Sequence, residues 1–306
     1  MPGIETLTAL APWEELTIGD HDWDEGDPRT LTSMLLLMHL IRIFEKTALD
    51  LSMKGLIHGP VHSSIGQEGG AVGSILALGP GDRVSGSHRG HHHFLAKAIS
   101  HVEPAGLTLA SSVTDRIRAV LKKTLAEIMG LAQGYCKGRG GSMHLRWAEA
   151  GMLGTNAIVG GGAPFAAGVA WSCRRAGTDN VVVNYLGDGA ANIGSFLETL
   201  NLAAAWKIPL CFFIENNQYA VATTVAEATG DPRLSARGPG FNVRSWQVDG
   251  MDPLAVFLTM NKALEHMRGA AGPTLIEARV YRHTHHSGPM PGSAFRYRTR
   301  EEEQRW

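Results

Sequence analysis

Residues 181–192, VVVNYLGDGAAN, and residues 209–220, PLCFFIENNQYA, decide how this chain is read. VVVNYL and PLCFFI are apolar runs of strand length, the pattern of strands buried on both faces. Between them, residues 192–206 place Ile193, Phe196, Leu197 and Leu200 on one helical stripe. Strand, helix and strand at this spacing form a βαβ unit, whose strands run parallel through a right-handed crossover. Working outward, residues 243–248, a helix over 253–266, and residues 273–280 extend the sheet. Toward the N-terminus, residues 31–53 read as a long buried helix stopped by residues 55–60. Residues 67–78 form a small-residue helix suited to close packing, and 83–85 a short strand. Residues 101–115 read as loop and 116–131 as helix. The expected class is α/β, a doubly wound, mostly parallel sheet flanked by helices, in one main domain over residues 31–306.

Residues 1–30 are expected to form an acidic N-terminal arm. The first 28 carry eight acidic side chains and no Lys or Arg, interrupted by Trp13 and Trp23. Such an arm lies on the body or on a partner, with disorder as the alternative.

Over the whole chain, 306 residues with 28 Lys plus Arg against 29 Asp plus Glu give a formal charge of −1. A dedicated nucleic-acid binder needs a basic excess, so no nucleic-acid partner is expected. Apolar residues at 44% are too many for disorder. No apolar stretch reaches the roughly 20 residues needed to cross a membrane. The N-terminus lacks the basic start and apolar run of a signal peptide. Cys136, Cys173 and Cys211 are odd in number and far apart, which fits a reducing, cytoplasmic setting rather than a disulfide framework.

Ligands of open parallel sheets bind beyond the carboxyl ends of the strands. Here one such end carries Gly187, Asp188 and Gly189, and the next carries Glu215 to Tyr219, with Asp188 and Asn217 29 residues apart. A carboxylate and an amide oxygen brought to one edge make a hard-oxygen set for magnesium, which fills its octahedron with phosphate oxygens and water. The glycines flanking Asp188 let backbone N–H groups approach a phosphate at a helix N-terminus. GDG alone is more often a turn; GDG and NN on successive strand ends are far more specific.

GDGAAN followed by ENNQYA resembles the thiamine-diphosphate motif. Its surroundings resemble the α subunit of 2-oxo-acid dehydrogenase decarboxylase components, of the pyruvate, branched-chain and acetoin types. The likeness spans roughly residues 30 to 300, through GQE at 66–68, GGSMH at 140–144, AIVGGG at 157–162 and YRTREE at 297–302.

The resemblance implies the thiamine-diphosphate-binding fold, with thiamine diphosphate and magnesium as cofactors. Asp188, the Asn217 side-chain oxygen and the Tyr219 carbonyl would hold the metal. Gly187, Gly189, Ala190 and Arg89 would meet the diphosphate, with His88 standing where the family often has Tyr. Ala157, commonly Gly in the family, and Val159 would lie beside the aminopyrimidine. His62 matches a substrate-side histidine, and His286 one that reaches the diphosphate and the reaction centre. These histidines are expected to have pKa values near the working pH.

The resemblance further implies oxidative decarboxylation of a small 2-oxo acid and reductive acyl transfer to the lipoyl domain of an acyltransferase component. A β subunit would complete the site, in an α2β2 heterotetramer or an α–β fusion. Family chains continue past YRTREE, so the chain is expected to be truncated or part of such a fusion. Acetoin cleavage is the alternative activity. A non-catalytic scaffold subunit is the alternative of another class.

Of the remaining features, His91, His92 and His93 cannot easily converge on a metal from one extended strand. They are read as anion-facing groups at the mouth of the site, with His91 best placed to act in catalysis. His283 and His285 are read as structural and Ser287 as a polar loop residue. CKGRGG at 136–141 resembles a phosphate cradle but lacks the P-loop ending, so it receives no direct role. Glu215 and Asn216 are expected to shape the turn.

Overall fold

The computed structural model describes residues 4, 6–109 and 113–306. Seven strands form the central sheet: β1 (Trp13–Leu16), β2 (Arg83–Ser87), β3 (Met152–Asn156), β4 (Val182–Gly187), β5 (Leu210–Asn216), β6 (Arg244–Asp249) and β7 (Thr274–Arg279). Their order is β1-β6-β7-β5-β4-β2-β3, and every pairing is parallel. From β2 the chain moves outward to β3, whereas from β4 it moves the other way to β5. The reversal therefore falls between β2 and β4, where an open α/β sheet leaves a crevice for ligand.

Period-2 alternation sends neighbouring residues to opposite faces. On one side Val183 and Tyr185 of β4 and Cys211 and Phe213 of β5 enter the larger core cluster. Five helices cover that face: α1 (Pro28–Met53), α2 (Glu68–Leu76), α3 (His91–Val102), α4 (Asp115–Ile128) and, later in the chain, Pro253–Arg268. On the other side Val182, Leu186, Leu210, Phe212 and Ile214 meet α5 (Gly162–Arg175) and α6 (Gly194–Trp206). The helix Pro253–Arg268 is α7.

Local chemistry sets the long helices. Asp27 caps α1 by accepting from the Thr30 N–H at 3.0 Å, with Pro28 at the first helical position. Asp252 and Pro253 repeat the device on α7. α2 packs tightly on α7, as its small residues suggested. A Cβ at Gly73 would stand 2.3 Å from the Pro253 carbonyl oxygen, so only glycine fits there.

Four elements depart from the sequence reading. Within the acidic N-terminal stretch, Trp13–Leu16 pairs with β6 as the edge strand, with Glu14 3.2 Å from Arg244 and Glu15 2.6 Å from Arg279. Residues 91–93 are the first turn of α3, not an extended segment. The alanine-rich α5 and the short β3 carry little periodicity and were not anticipated. Among the described residues, no helix is long and apolar enough to cross a membrane.

Candidate active site

A cavity of about 290 Å³ opens beyond the carboxyl ends of β2, β3, β4 and β5. Each strand delivers its next few residues to it: His88 and Arg89 after β2, Ala157 and Val159 after β3, Gly187 to Ala190 at the end of β4, and Asn217 and Tyr219 after β5. Arg282 and His286 arrive from beyond β7, and His62 and Gln67 from the loop before α2. That loop is drawn in by Gly66, whose φ of 98° suits glycine and whose Cβ would collide with the Tyr281 carbonyl. The Ile65 carbonyl accepts from the His283 N–H at 3.2 Å, and the Val61 carbonyl from Gly288 at 2.9 Å.

Asp188 is 4% exposed, and burial raises its carboxyl pKa to about 6 despite the Gly189 N–H and the nearby arginines. The Asn217 amide donates to Gln67 Oε1 at 3.2 Å, and its Oδ1 accepts from the Tyr219 N–H at 3.2 Å. Facing them are two buried guanidiniums. Arg89 donates to the carbonyls of Ser63 (2.6 Å) and His286 (2.8 Å), and Arg282 to those of Tyr219 (3.2 Å) and Val221 (3.0 Å). Burial, and then the charge of Arg282, push Arg89 down to about 9. Among the described residues no carboxylate is ion-paired with either guanidinium, and Asp188 beside them likewise has no ion-pair partner. Asp188 and Asn217 could hold a divalent cation, and the two guanidiniums an anion beside it.

His62, His88 and His286 form a triangle with ring centroids 4.9 to 5.1 Å apart. Their pKa values fall to about 2, 4 and 3, first through burial and then through Arg89. All three rings are therefore neutral at pH 7, which corrects the expectation of values near the working pH. The Nδ1 of His62 has no hydrogen-bond partner, nor has the buried Oδ1 of Asn184 in the cavity wall.

His91 is not at the mouth. It is fully buried on α3, with Nδ1 3.1 Å from Glu45 and Nε2 2.9 Å from the Ser142 hydroxyl. Ser142 in turn accepts from the His62 N–H at 3.2 Å, so His91 supports the loop carrying His62. The helical turn also lets His92 and His93 converge, which an extended strand would not. Their Nε2 atoms lie 2.7 and 3.2 Å from one oxygen of Glu215, and although burial raises its pKa, the two neighbouring imidazoles outweigh that and hold Glu215 below the usual carboxylate range. Glu215 thus does more than shape a turn. The CKGRGG loop cradles a carboxylate rather than a phosphate. Glu127 accepts from the N–H groups of Cys136 (2.7 Å), Gly138 (2.9 Å) and Gly140 (2.6 Å). His283 packs on Tyr281, and His285 stacks on Phe295.

Apart from His91, every residue singled out in the sequence for catalysis, cofactor or metal lines this one cavity. Sequence reasoning missed Gln67, Asn184, Glu215 and Arg282 as wall residues. Asn184 had left a signal, a polar residue inside an apolar strand. Arg282 had left another, a basic residue just past the end of a buried strand.

The chain is similar to known proteins over most of its length. A model of the family described as "Dehydrogenase E1 component" matches residues 36–306. The α subunit of acetoin:2,6-dichlorophenolindophenol oxidoreductase from Bacillus subtilis is 40% identical over 262 residues, covering 86% of this chain and 72% of that one. The pyruvate dehydrogenase E1 component α subunit of Rhizobium meliloti is 39% identical over 281 residues, 92% of this chain and 73% of that one. The Zymomonas mobilis protein of the same description is 38% identical over 278 residues, 90% and 72%.

Proposed function

This chain belongs to the dehydrogenase E1 component family, and from that membership we propose that it is the α subunit of a thiamine-diphosphate-dependent 2-oxo-acid dehydrogenase. The reaction is oxidative decarboxylation of a small 2-oxo acid, with reductive transfer of the acyl group to a lipoyl domain. The carrying observation is the pair of buried guanidiniums, Arg89 and Arg282, facing Asp188 and Asn217 across one cavity. A site with both charges unmatched is built for a metal-bound diphosphate.

In this reading Asp188, Asn217 Oδ1 and the Tyr219 carbonyl hold magnesium. The backbone at Gly187, Gly189 and Ala190 approaches the diphosphate, with Arg89 and His88 beside it. Ala157 and Val159 lie along the aminopyrimidine. Thiamine diphosphate, when bound, supplies the electron sink that decarboxylation requires. His62 and His286, neutral in the free chain, accept hydrogen bonds from substrate or carry a proton once the diphosphate's charge offsets that of Arg89. His91 acts only through the His62 loop.

A β subunit supplies the glutamate that activates the cofactor, in an α2β2 assembly or an α–β fusion. Exposed apolar groups support such a partner: Ile158 at 70% and Val159 at 52% on the cavity rim, then Phe165 and Trp171 on α5 and Trp206 on α6. A cytoplasmic location belongs to the same reading, and all three cysteines are free.

The test is calorimetry of thiamine diphosphate and magnesium, on the chain alone and with its β partner, with Asp188→Ala as control. Binding that tightens with the partner and disappears in the variant is expected. Equal binding by wild type and variant removes the metal assignment, and no binding even with the partner moves the scaffold reading forward. Relatives named for acetoin and for pyruvate match at 40% and 39%. Turnover of acetoin but not pyruvate by the assembled enzyme would reassign the substrate.

A further inference from the structure

A second cavity, of about 400 Å³, shares no lining residue with the first. It lies between the start of α1, the end of α2 and the end of α3, the helix whose opening turn supports the active site. Its walls include Leu37, Ile75, Leu76, Leu78, Ile99 and Leu107. Into this apolar space the chain places polar groups it does not satisfy. Lys97 is 5% exposed, and its ammonium has one long contact, 3.4 Å to the Gly79 carbonyl. The buried Ser100 hydroxyl, one turn further along α3, has no hydrogen-bond partner among the described residues.

The acids at this cavity are already engaged. Asp27 is bound to the Thr30 N–H (3.0 Å) and hydroxyl (2.7 Å), and Glu103 to the Thr114 hydroxyl (2.6 Å) and Arg116 (3.4 Å). Asp82, near Lys97, pairs with Arg268 at 2.6 Å. Among the described residues no carboxylate is ion-paired with Lys97, and Asp82 offsets only part of its burial cost. Burial lowers it to about 8, with Asp82 raising and Arg83 lowering it.

We propose that this cavity is a binding site for a short-chain aliphatic carboxylate, its carboxylate on Lys97 and Ser100 and its hydrocarbon body against the leucine and isoleucine walls. Lys97 is the buried cation of a lining that also carries the exposed Arg29 and His101, and its ammonium matches a single carboxylate. A dianion such as phosphate would meet the carbonyl ends of α2 and α3, which repel excess negative charge. The apolar walls favour an alkyl body over a compact polar anion.

The experiment is calorimetric titration of the full chain with butyrate and hexanoate, beside butyramide and inorganic phosphate. Wild type is expected to bind both acids, hexanoate more tightly, and to bind butyramide and phosphate far more weakly. Lys97→Met, which removes the charge and keeps the length, should weaken hexanoate binding by at least about tenfold, as loss of a charge-assisted hydrogen bond does. Ser100→Leu, which fills the space and leaves the lysine, should abolish it. Arg89→Met, in the first cavity, should leave it unchanged. Absence of binding by wild type, butyramide binding as well as butyrate, or loss in Arg89→Met with retention in Lys97→Met would each overturn the assignment. The first two outcomes do not depend on what the first cavity binds, and the third would place the acid there instead.

Discussion

Glu45 on α1 and Asp188 at the end of β4 are both shut away from water, at 0% and 4% exposure. Glu45 accepts from the Ser64 N–H (3.1 Å) and hydroxyl (2.5 Å) and faces His91 at 3.1 Å. Burial alone would raise its pKa, but His91 and Ser64 outweigh that and hold it low. Asp188 is almost as deeply buried, yet its pKa is raised to about 6. The chain supplies the full partner set for the carboxylate that builds the fold. It leaves the one in the cavity incomplete, and the missing partners mark where a ligand belongs.

The largest effect is expected where the partner set is complete. Glu45→Ala strands His91 and Ser64 in the core and should lower unfolding stability in urea by about 3 to 5 kcal/mol. A loss well below that would mean the pair contributes little and the contrast fails.

Asp188→Asn should move stability the other way in the metal-free chain. A carboxyl whose folded pKa is raised from 3.8 to about 6 penalises the folded state once it ionises. The penalty is absent near pH 4, grows up to pH 6 and is complete above it. The variant should therefore be more stable than wild type by about 2 to 3 kcal/mol at pH 7 and equal to it near pH 4. Glu45, with its lowered pKa, contributes stability that is present above its ordinary value and lost as pH falls through the folded one. Thermal melts of both proteins across pH 4 to 7 check the sign.

A smaller effect concerns Arg89. Arg89→Lys keeps the charge and loses the planar fork, so inorganic diphosphate with magnesium should bind about tenfold more weakly, with little change in melting temperature. Unchanged affinity would place the anion on Arg282 alone.

The smallest effect is spectroscopic. The rings of His62, His88 and His286 should show no titration between pH 6 and 8 in the free chain, because burial and Arg89 hold them neutral. Adding diphosphate should bring at least one into that window by NMR, since a bound anion offsets Arg89. Titration near pH 6.5 without ligand would contradict the desolvated triangle.

How much could be read beforehand follows from the range of each interaction. β4 and β5 were legible because strands buried on both faces must be apolar along their length, and β6 and β7 because they continue the alternation of strand and helix. α1 and α7 were legible because an amphipathic stripe repeats over many turns. Asp188 and Asn217 were legible because strand ends converge in any parallel sheet. β1 was not, since WEEL has no apolar pattern and joins the sheet through β6 and the arginines at 244 and 279. α5 was not, because alanines at 163, 166, 167 and 170 bury almost nothing until the sheet is beneath them.

The sequence by itself determined the parallel α/β class and the meeting of Asp188 and Asn217 at neighbouring strand ends, both from local pattern and the geometry of βαβ units. The other cavity residues, His62, His88, Arg89, Ala157, Val159 and His286, were legible only through the resemblance to a known family. Only the tertiary structure decided what three consecutive histidines do. His91 turns to Glu45, whereas His92 and His93 turn to Glu215, because a helix separates successive side chains by about 100° and carboxylates distant in sequence wait on either side. It also decided the protonation of the site. Burial and two neighbouring arginines set the states of Asp188 and the three histidines, and desolvation is a property of the whole packed molecule rather than of any stretch of its chain.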